Sequence, residues 1–261
     1  MSTLSVALVQ HDIVWLNPVA NHQCIESQLA ALPRVDLILL SETFATGFAI
    51  NLACGEVPNG PSMAFLMSLA RKHDAVVAGS VLVDVDGKKA NRFYWCWPNG
   101  NVAYYDKRHL FCLGKEGDFV VPGNTRPIFE INGFRILPQV CYDLRFPVFQ
   151  RNRNDYDVMV NVANWPAARR RIWDTLLQAR AIENQCFVLG VNRVGADGNG
   201  IAHSGGTAAY DFVGEALVCA QDEVSDVIIV TLDKASLSAF RDAFPAHLDA
   251  DEFELNATLG Q

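Results

Sequence analysis

Short apolar runs rich in Val, Ile and aromatic residues recur along the chain, separated by turn residues or by amphipathic stretches. Runs of this kind read as strands. Twelve are predicted, at 4–10, 35–40, 75–82, 92–97, 102–105, 127–131, 134–140, 158–162, 186–191, 207–210, 216–220 and 227–230. Asp86-Gly87, Asn99-Gly100 and Asn132-Gly133 fall between neighbouring runs, and such pairs accept the positive φ of tight hairpin turns. Helical patterns separate other runs: Val19, Ile25 and Leu29 share a face over 18–31, Phe65, Leu66 and Leu69 over 62–73, and Leu176, Leu177 and Ile182 over 173–184. A last helix is predicted over 234–244. Hairpins mixed with strand–helix–strand units imply an α/β fold. Twelve strands are too many for one comfortable open sheet, so two packed mixed sheets flanked by helices are expected. No linker, sequence repeat or low-complexity segment interrupts the pattern, which predicts a single domain.

Composition narrows the function classes. Half of the 261 residues are hydrophobic, which excludes a chain too polar to fold. With 21 Lys+Arg against 29 Asp+Glu the net charge is −8, the wrong sign for a nucleic-acid partner. No apolar run approaches the roughly 18 residues that would span a bilayer, and MSTLSVALVQHDIV lacks the basic region of a signal peptide. The seven cysteines include no C-x-x-C pair, so neither a zinc ribbon nor a dithiol redox centre is expected, and no metal site. Free thiols fit a reducing cytoplasm.

Most cysteines are small buried hydrophobes; Cys141 has a different context. It lies in ILPQVCYDLRFPVF, where a strand runs into a turn and then a predicted helix over 147–154. A side chain there projects from a rigid backbone, and the following N–H groups can face a developing oxyanion. A thiol still needs a base or a cation to activate it. Of six histidines none has an evident carboxylate orienter, although His109 or His203 could serve from a distance. Glu42, one residue beyond the run VDLILL, occupies a strand end of the same kind, and a carboxylate among apolar groups suits proton transfer near neutral pH. Lys107, in YYDKRHLF, ends another strand and could stabilise a thiolate or an oxyanion. Strand-end Glu and Lys are ordinarily solvated; what marks these two is their company with Cys141 at the ends where α/β folds place ligands.

The segments SETFATGF, YYDKRHLF and VCYDLRFP, in that order, resemble the signatures of the nitrilase superfamily of carbon–nitrogen hydrolases. The similarity runs through NVANWP and QARAIENQCFVLGVNRVG, and CYDLRFP, RNRNDYD, ANWPA and FPAHLDADEF look like the bacterial omega-amidase branch. One departure is visible: Ser41 stands where the family usually has proline before the glutamate, which frees a φ that proline would fix.

The resemblance implies an α-β-β-α sandwich, with a carbon–nitrogen hydrolase domain over 4–232 and a C-terminal helix and tail over 233–261 that packs on a dimer partner or on the core. It implies Cys141 as nucleophile, Glu42 as general base, and an oxyanion held by Lys107 and the Tyr142 backbone N–H. Glu116 matches a second family glutamate that positions the lysine and substrate. The implied activity is hydrolysis of the terminal amide of a small ω-amide such as 2-oxoglutaramate, through a Cys thioester, without a cofactor, in a homodimer. The 173–184 helix is a candidate for the dimer contact, or else part of the core. Such a substrate needs a cation for its carboxylate: Arg145 is a candidate, with Phe44 and Trp165 as pocket walls, although Arg145 could instead pair with Asp143 or Glu183. The run Arg169-Arg170-Arg171 reads as a solvated helix start, and Gly195-Ala-Asp-Gly-Asn-Gly as a flexible turn. Alternatives are a deaminated-glutathione amidase, a nitrilase proper, and a non-catalytic binding or redox-sensing protein.

Overall fold

The first strand of the computed structural model, which describes residues 2–255, sends alternate side chains into two different cores. In β1 (Thr3–Gln10) the residues Leu4, Val6 and Leu8 point into one core while Ala7 and Val9 point into another, so both faces of the strand are buried. Helix α1 (Pro18–Gln28) starts with its Asn17 side chain accepting the Ala20 N–H, and a proline opens both it and α2 (Pro61–His73), where the missing N–H costs nothing. Strands β2 (Leu37–Leu39) and β3 (Val76–Val85) lie parallel to β1, and β4 (Lys88–Cys96) and β5 (Val102–Asp106) follow as hairpins. Asp86-Gly87 makes the first of these turns with both residues at positive φ.

The second half repeats the plan. Strands β6 (Phe129–Ile131) and β7 (Phe134–Val140) form a hairpin through Asn132-Gly133, again with two positive φ values. A 3-10 turn (Cys141–Arg145) and the short α3 (Pro147–Gln150) lead to β8 (Val158–Val162), and α4 (Arg170–Asn184) leads to β9 (Phe187–Val191). A small hairpin, β10 (Val194–Ala196) and β11 (Ala202–Ser204), precedes β12 (Ala208–Tyr210) and β13 (Ala216–Cys219). The chain then returns to the first sheet as β14 (Asp226–Asp233) and ends in α5 (Lys234–Ala243). The two main sheets are ordered β14-β1-β2-β3-β4-β5 and β6-β7-β8-β9-β12-β13. Read in that order, both pair antiparallel, parallel, parallel, antiparallel, antiparallel.

Three apolar layers hold the sheets and helices together. Leu4, Leu8, Phe134 and Val160 belong to the central core between the sheets. Ile25, Leu66 and Leu69 of α1 and α2 pack on the outer face of the first sheet, and Trp173, Leu177 and Ala181 of α4 on that of the second. The result is the expected α-β-β-α sandwich. Burial on both faces explains why β2 and β9 are continuous apolar runs rather than alternating ones, and why β8 is interrupted only by the buried Asn161.

Several boundaries differ from those predicted. The helix expected over 147–154 stops at Gln150. Helix α4 begins three residues before 173, and the segment expected to be a flexible turn starts inside β10, with Gly195 and Ala196 paired to β11, before it forms the connection between the two strands. Helix α5 buries Leu237 in the central core of its own chain. Residues 256–261 of the expected tail lie outside the described residues.

Candidate active site

Glu42, Lys107 and Cys141 stand just beyond β2, β5 and β7, and all three line one pocket. The backbone brings each to the rim by a local device. Past β2, Leu40 N–H still donates to Ala78 O at 2.7 Å, and Thr43 N–H donates to Ser80 Oγ at 2.9 Å, so the Glu42 segment is clamped against β3. Lys107 N–H donates to Asn91 O at 2.9 Å. Cys141 turns out of β7 with φ +49°, a left-handed conformation that a side chain adopts only when its surroundings impose it. Asp143 imposes it: its Oδ2 accepts from the Val140 N–H at 2.9 Å and the Tyr105 hydroxyl at 2.8 Å, and its Oδ1 from the His109 N–H at 3.0 Å. One buried carboxylate thereby fastens the Cys141 turn to the segment that follows Lys107.

Glu42 is fully buried, and both of its carboxylate oxygens are engaged. Oε1 accepts from Asn91 Nδ2 at 2.8 Å and Lys107 Nζ at 3.1 Å, and Oε2 from the Asn164 N–H at 2.7 Å. Lys107, equally buried, also donates to Glu116 Oε1 and Oε2 at 3.1 and 3.0 Å. Glu116 is held in turn by the Phe111 N–H at 2.6 Å. Burial disfavours the ammonium of Lys107, but Glu116 and Glu42 outweigh it and hold the lysine above its ordinary range, so it stays charged. Burial pushes the Glu116 carboxyl up, against the pull of Lys107. Burial and the adjacent Glu42 carboxylate push the Cys141 thiol well up, with Lys107 opposing. These surroundings favour the thiol over the thiolate and set it beside the Glu42 carboxylate.

The structure separates the remaining candidates. Trp165 is almost fully buried but lines the pocket, its Nε1 donating to Arg169 O at 2.9 Å. Phe44 does not reach the pocket. It is wholly buried under the first sheet beside His22 and Phe65, because the bend at Thr43 (φ +44°) turns it inward, and Phe48 lines the pocket instead. Arg145 lines the pocket with its guanidinium 5.3 Å from the centre of the Trp165 ring. The alternative partners for it are taken: Asp143 by the groups above, and Glu183 by Arg180 at 2.8 Å. His109 does have a carboxylate partner, Asp143 at 2.7 Å, yet it is not among the residues lining the pocket. His203 lines the pocket, and burial holds its imidazole down to about 4, which keeps it neutral.

Besides Phe48, four residues that line the pocket or hold Glu42 were not singled out from the sequence. Asn91 and Asn164 hold Glu42; a polar side chain inside an apolar strand, and an asparagine within the ANWP segment, were the available signals. Phe111 adds an apolar wall. Arg169 is the fourth, and here the expected solvated run divides in three. Arg170 pairs with Asp174 and Asp222, Arg171 is exposed, and Arg169, in a 3-10 turn before α4, lines the pocket. Among the described residues no group of His, Cys, Asp and Glu could hold a metal ion.

A four-layer sandwich with buried Glu, Lys and a thiol gathered at its strand ends defines the class of carbon–nitrogen hydrolases. The chain belongs to that family: the carbon-nitrogen hydrolase family matches residues 5–242. It is 43% identical to the omega-amidase YafV of Yersinia enterocolitica over 255 residues, 98% of this chain and 100% of that one. It is 32% identical to the 2-oxoglutaramate amidase of Bacillus subtilis (strain 168) over 200 residues, 74% of this chain and 77% of that one. Among solved structures it is similar to XC1258 of Xanthomonas campestris, a CN-hydrolase superfamily protein with an arsenic adduct in the active site. The TM-score is 0.95 at 42% identity, covering 98% of this chain and 100% of that one.

Proposed function

We propose that this amidase hydrolyses the terminal amide of a small ω-amide of a dicarboxylic acid, 2-oxoglutaramate or a close analogue, through a thioester on Cys141. The observation that carries the reading is the Cys141 thiol facing the same pocket as a fully buried Glu42 and a fully buried Lys107 that donates to it at 3.1 Å. The similarity to an omega-amidase and to a 2-oxoglutaramate amidase supports the substrate class.

In the proposed sequence Glu42 takes the thiol proton as Sγ bonds to the amide carbon. The C–O π electrons move to oxygen, where Lys107 Nζ and the Tyr142 N–H, in the first turn of the 3-10 helix, stabilise the charge. Collapse of this intermediate breaks the C–N bond, with the proton on Glu42 passing to the departing ammonia and the acyl group left on sulfur. Water then gives a proton to Glu42 and attacks the thioester, releasing the acid and restoring the thiol. Glu116, bonded to Lys107 through both oxygens, fixes the direction of the ammonium. Arg145 faces the substrate carboxylate and Trp165 walls the pocket. No cofactor enters the sequence. A cytoplasmic homodimer completes the proposal, with exposed Val148 of α3 and Leu248 as apolar contact points; light scattering should give twice the chain mass.

Ammonia release is the test. The native protein should release one ammonia per 2-oxoglutaramate consumed, and Cys141→Ala should lower kcat by at least about a thousandfold. Ammonia release that survives in Cys141→Ala would remove the thiol from the mechanism. A kcat/KM that favours deaminated glutathione over 2-oxoglutaramate would move the protein to the other branch.

A further inference from the structure

Two guanidinium groups face the active-site pocket, and neither has an ion pair or a hydrogen-bonding carboxylate among the described residues. Arg145 lies over the Trp165 ring, and Arg169 lies with its guanidinium 5.4 Å from the centre of the Phe111 ring. Both rings line the same pocket, so each cation rests on one aromatic wall with its N–H groups uncommitted. Most other arginines in contact with the body of the protein are committed: Arg92 to Asp106, Arg126 to Asp155, Arg135 and Arg241 to Asp157, Arg170 to Asp174 and Asp222, and Arg180 to Glu183. In a chain with a net charge of −8, two uncommitted guanidiniums at one pocket are a local reversal of sign.

The backbone around Arg169 is fixed for this placement. Its N–H donates to Pro166 O at 2.9 Å and its carbonyl accepts from Trp165 Nε1 at 2.9 Å, so the 3-10 turn is locked to the pocket wall at both ends. Asp197, the other carboxylate lining the pocket besides Glu42, is occupied within its own loop, where Oδ1 accepts the Asn199 and Ile201 N–H groups at 2.8 and 2.9 Å. Lys107 is committed to Glu42 and Glu116. The pocket is therefore lined by one cation that carboxylates neutralise and by two that they do not.

On the amidase reading above, we propose that Arg169 is a specificity-determining residue: with Arg145 it clamps the carboxylate at the far end of the substrate, so the enzyme selects amides that carry a remote anion. A guanidinium pair offers planar, paired donors to a carboxylate, and a neutral amide of the same length leaves both cations unsatisfied in a partly desolvated site. Arg169 does not touch the reacting atoms; it decides which amides reach them.

The test compares glutaramate, the monoamide of a five-carbon diacid, with glutaramide, its neutral diamide. Arg169→Met should lower kcat/KM for glutaramate on the order of 10- to 100-fold, chiefly through KM, and leave glutaramide within about twofold. Arg169→Lys should recover part of the loss, because it restores charge without the fork. Calorimetric titration of both ligands into the Cys141→Ala protein, with and without Arg169→Met, reads the clamp where no turnover occurs. Equal losses for both amides, or no loss for glutaramate, would overturn the assignment of Arg169. If the native protein hydrolyses neither amide, the amidase reading fails, while the titration still decides the clamp.

Discussion

Ser41 shows how a residue that departs from its family's pattern is absorbed locally. The proline expected at this position would fix φ before Glu42, yet Glu42 is already held at both oxygens by Asn91, Lys107 and Asn164. The carboxylate is positioned from the far side, and the preceding φ matters little. Serine does bring a cost, because its hydroxyl is buried with no hydrogen-bond partner. A buried hydroxyl left unpaired costs about 1 kcal/mol or more, so Ser41→Ala should raise the unfolding free energy by up to about 1 kcal/mol with kcat unchanged. A loss of stability in urea titration would mean that the hydroxyl does have a partner. At this scale the convergence of Cys141, Glu42 and Lys107 on one pocket was legible because each follows a strand-forming run, and the sequence resemblance implied the roles proposed for them. Phe44 and Phe48 were not distinguishable: they lie four residues apart on one segment, and only the left-handed turn at Thr43 sends the first into the core and leaves the second at the pocket.

Among the elements, the C-terminal strand ends position the site, and Asp157 ties the opposite ends of β7 and β8 to α5. It precedes β8, accepts from Arg135 of β7 at 2.9 Å, and accepts from Lys234 and Arg241 of α5 at 3.0 and 3.1 Å. Burial alone would raise its pKa, but Arg135 and Lys234 dominate and hold it down to about 2, against an ordinary 3.8. A depressed carboxylate stabilises the fold at pH above its unfolded value, and the contribution disappears as pH falls from 3.8 towards 2. The shift corresponds to about 2 kcal/mol. Asp157→Asn should therefore lose about 2 kcal/mol at pH 7, a deficit that narrows below pH 4 in urea titrations. A deficit that stays constant down to pH 3 would refute the ionic account of how α5 is docked. Helix α5 was predicted from its sequence within one residue of its observed end, but the carboxylate that receives it lies 77 residues upstream of Lys234 and carries no local signal.

Over the whole molecule, the same order of strand pairings occurs in both sheets although the sequence has no repeat. The equivalent strand ends β2 and β8 carry Glu42 and Asn164, which bond to each other across the sandwich. Two histidines near this edge, His11 and His203, are buried, and desolvation holds both down to about 4 from 6.5. Their protonation is disfavoured only in the folded state. As pH falls from 6.5 towards 4 the unfolded chain binds protons that the native state does not, so stability falls through this window and levels off below it. Each histidine contributes on the order of 3 kcal/mol to that fall. The melting temperature should drop steeply between pH 6.5 and 4, and His11→Gln should flatten the curve. An unchanged slope in His11→Gln would exclude His11 as its source.

The sequence alone determined the period of the strands of the two main sheets and of the long helices, the hairpin turns at Asp86-Gly87 and Asn132-Gly133, and the three strand ends that carry Glu42, Lys107 and Cys141. Those features depend on local φ and ψ preferences and on whether a run is buried on one face or two, and both are written in neighbouring residues. The tertiary structure alone decided that Phe48 replaces Phe44, that Arg169 rather than Arg170 or Arg171 faces the pocket, and that Asn91 and Asn164 hold Glu42. The pocket draws together segments that span residues 42 to 203, and their convergence depends on how the two sheets pack, which no local pattern specifies.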